Sequence, residues 1–321
     1  MLLRGIRQPR LVLVTGAGSG IGRATARKFA AAGATVVVTD IDLGTARETT
    51  ALITAAGGNA HTFRLDVTDA EAWEALAVTL RGSVGVPDVV VNNAGLAIVG
   101  RFLDQSLEDW RKVIDVDLWG VIHGCRVFGR EMAASGRRGH IVNVASCAAY
   151  GPCGPLASYC VSKAAVRMLS ESLRIELSPH DIGVSAICPG AVATNIVGHT
   201  ELRNNHEISE FDAIRSRVSD LVATLGPKLG FGPNHIANAI HRAVRYNLAV
   251  VPVRPESWAL YAASRVSPGM VRGLSGVVAD GHRLDLALRV ARPLVDRIPG
   301  SVKEMVLGPE PSPAFVKELQ P

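Results

Sequence analysis

Tyr159 and Lys163 stand four residues apart in the run YCVSK. On a helix that spacing places both side chains on one face. A phenol ordinarily ionises at about pH 10 and is a poor base near neutrality. An ammonium beside it favours the phenolate and brings proton transfer toward working range. Ser146 closes the preceding apolar run, IVNVAS, thirteen residues before Tyr159. Ligands of open α/β sheets bind outside the carboxyl ends of the strands, so a hydroxyl there should face the same crevice. The tyrosine and lysine suit general acid–base work. Taken singly the three residues have plainer readings, a serine capping a loop and a tyrosine meeting a lysine by chance.

A second chemical signal lies near the start of the chain, in TGAGSGIG, Thr15–Gly22. Gly16, Gly20 and Gly22 allow a tight turn and a close approach of backbone to a pyrophosphate. The helix that follows offers unpaired N–H groups and a positive dipole end to phosphates. The plainer reading is a glycine-rich turn without a ligand. Asp40 lies eighteen residues beyond Gly22, at the end of the next strand-like run. A carboxylate there accepts hydrogen bonds from ribose hydroxyls and repels a 2′-phosphate. Neither Ser19 nor Ile41 is basic, so nothing at those places offsets the repulsion, and NAD is expected over NADP.

These residues need a frame. Apolar runs at Leu11–Thr15, Thr35–Asp40, Ala60–Leu65, Asp88–Asn92, His140–Val144 and Gly183–Cys188 read as continuous β stretches. Such runs suit strands buried on both faces of a parallel sheet. Between them, Gly22–Ala32, Leu43–Ala56, Ala70–Leu80, Leu107–Ala134 and Ser158–Ser178 carry helical spacing. The alternation predicts an α/β fold, a Rossmann-like doubly wound parallel sheet of about seven strands in three layers. Asn234–Tyr246 reads as a further helix and Leu248–Val253 as the last strand. Residues 1–255 form the expected dinucleotide-binding and catalytic domain, including a lid over 191–232. Residues 256–321 read as a helical, Pro-rich extension.

Composition narrows the classes. The chain has 321 residues, 48% hydrophobic and 20% charged, with a net charge of +5. That excludes disorder and a disulfide-dependent miniature fold. The weak basic balance, with no basic run, argues against nucleic acid as a partner. Nine histidines show no metal-ligand spacing, so no metal is expected. Five cysteines form no CxxC pair and suit a reducing compartment. The N-terminus carries no signal-peptide pattern and no apolar run is long enough to span a bilayer, so a cytoplasmic protein is expected.

The motifs, taken in order, resemble the short-chain dehydrogenase/reductase family over about residues 10–255. Thr15–Gly22 matches its cofactor loop, so Ser19 and Ile21 join the three glycines as implied cofactor contacts. Asp66 and Val67, in LDVTD, match its adenine-side position. Asn93, Ala94 and Gly95, in NNAG, match the turn supporting the central strand. Ser146, Tyr159 and Lys163 match its catalytic residues, with Tyr159 and Lys163 also at the cofactor. Pro189, Gly190, Val192 and Thr194, in PGAVAT, match the segment beside the nicotinamide. VDLWGVIHG and PESWALYAASRVSP are similar to an actinobacterial subgroup that includes dehydrogenase domains fused to epoxide hydrolases.

The resemblance implies hydride transfer between a secondary alcohol or ketone and a nicotinamide, in a homodimer or homotetramer. It carries one departure. Asp117 stands where the family has an Asn that holds a water linking the lysine to solvent; an Asp can hold that water but adds a negative charge near Lys163. A rival reading is a cofactor-binding scaffold or redox sensor without catalysis, which would predict a damaged catalytic set. The loop Cys147–Leu156 and the segment Ala191–Gly232 are expected to shape an apolar pocket for a bulky small-molecule substrate. Apolar residues mixed with arginines in the extension fit packing on protein better than contact with a membrane surface.

Overall fold

A computed structural model describes residues 4–190, 201–202, 232–269 and 271–273. Val192 and Thr194, most of the expected lid and residues 274–321 lie outside the described residues. Strand β1 (Leu11–Thr15) leads into α1 (Gly20–Ala31), then β2 (Thr35–Asp40), α2 (Leu43–Ala55), β3 (Asn59–Arg64), α3 (Ala70–Ser83) and β4 (Val89–Asn92). A two-residue strand β5 (Ile98–Val99) precedes α4 (Leu107–Ile114), α5 (Gly120–Ser135), β6 (Gly139–Val144), α6 (Ala157–Glu176) and β7 (Ile182–Pro189). After β8 (Glu201–Leu202), which pairs with β5, come α7 (Pro233–Tyr246), β9 (Val250–Val253) and α8 (Pro255–Val266).

The main sheet has seven strands in the order β3-β2-β1-β4-β6-β7-β9. All its pairings are parallel. Alternate residues of each strand face opposite sides. Val12, Val14, Val36, Val38, Val89 and Val91 meet Phe29, Ile53, Ile236 and Ile240 of α1, α2 and α7. Leu13, Val37, Val90 and Ile141 meet Trp73, Leu80, Phe128 and Val166 of α3, α5 and α6. The result is the three-layer doubly wound sheet that the alternating pattern predicts. Chain direction reverses its winding between β1 and β4, which opens a crevice at the carboxyl ends of these strands.

Two expectations need correction. The run around Ala60–Leu65 is not buried on both faces: β3 is an edge strand with alternating exposure, and its polar NAHTFR sequence suits that edge. Leu107–Ala134 is not one regular helix. Asp115–Trp119 forms a π-turn between α4 and α5. The extension opens helically, as its sequence predicts: α8 is tied to the sheet where Ser257 Oγ donates to the Cys188 carbonyl at 2.7 Å. Among the described residues no helix is long and apolar enough to cross a membrane.

Candidate active site

The turn after β1 is built to bring backbone close to a ligand. Gly16 and Gly20 have φ of 59° and 51°, in the left-handed region. A Cβ on Gly22 would lie 2.1 Å from the Gly16 carbonyl oxygen, so only glycine fits there. Ser19 is the N-cap of α1 but makes no side-chain cap hydrogen bond, and the first turn holds no acidic residue. The N–H groups of that turn and the positive end of the helix are therefore open to an anion. Ile21 follows in the same turn, packed against the apolar core.

The loop is anchored from both sides. Thr15 Oγ1 accepts the backbone N–H groups of Asn93, at 2.9 Å, and Ala94, at 3.0 Å. Asn93 Nδ2 donates to the Thr15 and Gly16 carbonyls at 2.9 and 3.2 Å. The ends of β1 and β4 are thus stitched across the crevice. Asp40 Oδ2 accepts the Gly18 N–H at 2.9 Å, and Oδ1 accepts that of Asp42 at 3.1 Å. A carboxylate has about four lone-pair sites, so each oxygen keeps capacity for a ribose hydroxyl. Asp66 Oδ1 accepts from the Thr68 N–H and hydroxyl, which folds the turn after β3. Val67 is buried, and its carbonyl accepts Trp73 Nε1 at 3.0 Å. These residues fit an adenine dinucleotide: an open helix end for its phosphates, a carboxylate for its ribose and an apolar wall beyond.

Ser146, Tyr159 and Lys163 converge at the carboxyl end of β6. Ser146 Oγ accepts the Ala148 N–H at 3.2 Å, which leaves its own proton to donate elsewhere. Lys163 Nζ lies 5.4 Å from the Tyr159 ring centroid and donates to the Val144 carbonyl at 3.4 Å. It also meets Asp117 Oδ2 at 3.1 Å, with both side chains buried. The π-turn carries Asp117 into the crevice, where Oδ1 accepts the Leu96 N–H at 2.8 Å and Oδ2 accepts Ser162 Oγ at 3.4 Å. Gly95 leaves the room, since a Cβ there would lie 3.1 Å from Asp117 Oδ1 and 3.3 Å from Lys163 Nζ.

Spacing alone has Lys163 lowering the Tyr159 phenol. In the folded chain burial pushes that phenol up, the nearby Asp117 charge adds to the rise, and a hydrogen bond with Ser146 pulls it back. Asp117 is itself raised by burial and lowered by the Lys163 charge.

Pro189 ends β7, and the Gly190 N–H bonds to the Val253 carbonyl at 3.0 Å. A Cβ on Gly190 would lie 2.1 Å from Glu256 Oε1 of α8, whose carboxylate also meets Arg254 Nε at 2.8 Å. The same helix closes over the loop after Ser146, where the Tyr150 and Tyr261 rings meet at a 59° tilt with centroids 5.2 Å apart. Cys147 and Cys160 lie near Tyr159, and Cys153 lies near those two; burial pushes all three thiols up, Cys153 to about 11.

Sequence reasoning missed several contributors. The Leu96 N–H follows the NNAG turn directly, and Ser162 sits inside the YCVSK run, so both lay next to recognised motifs. Arg23, one residue past the glycine loop, braces it from behind through Gly18, Thr49 Oγ1 and Glu48. The π-turn has no signal in the residue pattern.

The short chain dehydrogenase family profile matches residues 10–205. The chain is 46% identical over 270 residues to a probable oxidoreductase, EphD, of Mycobacterium tuberculosis, covering 84% of this chain and 45% of that protein. It thus spans about half the length of that curated relative. It is 36% identical over 190 residues to 2,5-dichloro-2,5-cyclohexadiene-1,4-diol dehydrogenase LinX of Sphingobium indicum, covering 59% of this chain and 76% of LinX. A crystal structure of a short chain dehydrogenase/reductase from Burkholderia phymatum in complex with NAD superposes with a TM-score of 0.72 at 29% identity, covering 85% of this chain and 97% of that one.

Proposed function

The chain belongs to the short chain dehydrogenase family, and from that premise we propose that it interconverts a secondary alcohol and a ketone with a nicotinamide cofactor. The observation that carries this reading is the placement of Ser146, Tyr159 and Lys163 at one strand end, on the crevice that the glycine turn of α1 also borders. The cofactor supplies the hydride acceptor or donor. Ser146 donates a hydrogen bond to the substrate oxygen as charge builds there. Tyr159 exchanges the proton at that same oxygen. Lys163 and Asp117 set the field around the phenol, and Lys163 reaches the ribose side of the cofactor.

NAD is the preferred cofactor, on the strength of the Asp40 carboxylate beside the loop and the apolar, exposed Ile41 next to it. The substrate is bulky and apolar. Supporting this, the rim of the site carries Tyr150, Tyr261 and Trp258 together with three thiols, and LinX bears the name of a ring-diol dehydrogenase. Residues 1–255 form the catalytic unit, with Pro189 and Gly190 beside the nicotinamide and Val192 and Thr194 assigned there by motif. The five free thiols suit the reducing cytoplasm, and the working form is a homo-oligomer.

A panel of secondary alcohols, from short-chain to fatty and steroid-like, assayed with NAD and with NADP, tests this reading. Turnover of the ring-bearing members with NAD is the expected result. Turnover confined to short hydroxy acids, or a preference for NADP, would remove the corresponding part of it.

A further inference from the structure

The nearest cation to Tyr159 does not stand alone. Lys163 Nζ and Asp117 Oδ2 are 3.1 Å apart in a buried pocket. The proton between them can rest on the amine or on the carboxyl, and in either case the pair carries no net charge. An amide at position 117 would instead leave a full positive charge one helical turn from the phenol. The chain is shaped around the pair: the π-turn swings Asp117 inward, the Leu96 N–H and Ser162 hydroxyl hold its two oxygens, and Gly95 vacates the space. The other groups facing Tyr159 are Ser146 and Cys147 from the turn after β6 and Cys160 on its own helix, none of which brings a positive charge.

We propose that Asp117 is a positioning residue that cancels the charge of Lys163, so that Tyr159 rests as a protonated phenol set to give its proton to a carbonyl. The inference rests on the dehydrogenase reading above. In ketone reduction the phenol O–H bond breaks and the product O–H forms, while the hydride comes from a reduced nicotinamide and solvent later returns the proton to the phenolate. Alcohol oxidation needs the phenolate at the outset. It therefore draws on a small ionised fraction at neutral pH and climbs as pH rises. The direction of the Tyr159 shift agrees, since burial and Asp117 both favour the protonated form.

The test compares wild type with D117N and D117S, the second variant serving if the first folds poorly. Ultraviolet phenolate absorbance is titrated in each protein and in its partner carrying Tyr159→Phe, without substrate or cofactor, so that the difference isolates Tyr159. Both variants are expected to ionise Tyr159 at lower pH than wild type. The pH profile of kcat/KM for alcohol oxidation is expected to move to lower pH with it, so that a displacement of one pH unit raises oxidation on the climbing limb at neutral pH by up to about tenfold. Wild-type oxidation is expected to keep climbing through neutrality; a plateau below it would overturn the inference. An unmoved Tyr159 titration would overturn it whatever the activities. A displaced titration in proteins that oxidise and reduce nothing would leave the charge cancellation standing and remove the dehydrogenase reading instead.

Discussion

Asp40 is the side chain on which the proposed preference for NAD rests. Its carboxylate is fixed by the Gly18 and Asp42 N–H groups, so it cannot swing away from a 2′-phosphate. Asp40→Ala combined with Ile41→Arg removes the repulsion and offers the phosphate a guanidinium. The double variant is therefore expected to raise the NADP-to-NAD ratio of kcat/KM by about two orders of magnitude, equivalent to about 3 kcal/mol. Steady-state kinetics with both cofactors measure this, and an unchanged ratio would refute the assignment. Asp40 was legible in the sequence because its distance from the glycine loop is fixed by one βαβ unit. The tuning of Tyr159 was not. It depends on how deeply the phenol is buried and on where Asp117 lands, and both are set by contacts distant in sequence.

Among the elements, the β1–α1 turn and the π-turn contrast. The first is written in its glycines, and Gly22→Ala measures how tightly. The added carbon would meet the Gly16 carbonyl and Asn93 Nδ2, neither of which can yield without opening the stitch between β1 and β4. The variant is expected to lose about 1–3 kcal/mol of stability, as overpacked sites do, and to bind NAD more weakly by calorimetry. Wild-type affinity and stability in Gly22→Ala would contradict the geometry. The π-turn, by contrast, adds one residue to a helix whose apolar spacing looks continuous, so periodicity alone reads Leu107–Ala134 as unbroken.

Strand β6 carries a further element-level consequence. His140 Nε2 lies 2.8 Å from Ser185 Oγ, which donates onward to the Leu248 carbonyl, so the ring serves as the donor through Nε2. Burial, helped by the Arg174 charge, lowers its pKa to about 3. The unfolded chain takes up that proton near about pH 6.5. Stability is thus fully present above that value and falls as pH drops toward 3, with a slope approaching about 1.4 kcal/mol per pH unit. Denaturant unfolding between neutral and mildly acidic pH is expected to show a shallower fall in His140→Gln, whose amide can still donate to Ser185. An identical acid slope in both proteins would assign the loss to other groups.

Across the whole molecule, most large apolar residues of α4 and α5 are covered by the chain itself. Val113, Val121, Val127 and Met132 are buried in its own core. The surplus lies on α6 instead, where Val161, Met168 and Ile175 are 50%, 55% and 78% exposed and stand two turns apart along one face. Trp119, at the end of the π-turn, is half exposed as well. A second copy of the chain is the partner proposed for this face. Sedimentation is expected to show a dimer or tetramer at micromolar concentration in wild type and a monomer in a Met168→Glu, Ile175→Glu variant. A monomeric wild type would leave the face to another cover. The layer order and strand sequence were legible because alternating β and α patterns leave few topologies, whereas the exposed α6 face required knowing which faces the sheet had already covered.

The most direct measurement is the reduced-nicotinamide absorbance that develops when the protein is mixed with NAD and ring-bearing secondary alcohols, run beside Tyr159→Phe. The variant keeps the ring's packing and loses only the proton-transfer group, a contribution worth about 10²–10⁴ in rate. We expect wild type to turn over at least one such alcohol, and the variant to lose about a hundredfold or more in kcat while binding NAD as wild type does. A variant that kept wild-type kcat would show that the proton passes elsewhere, and the site would have to be read anew.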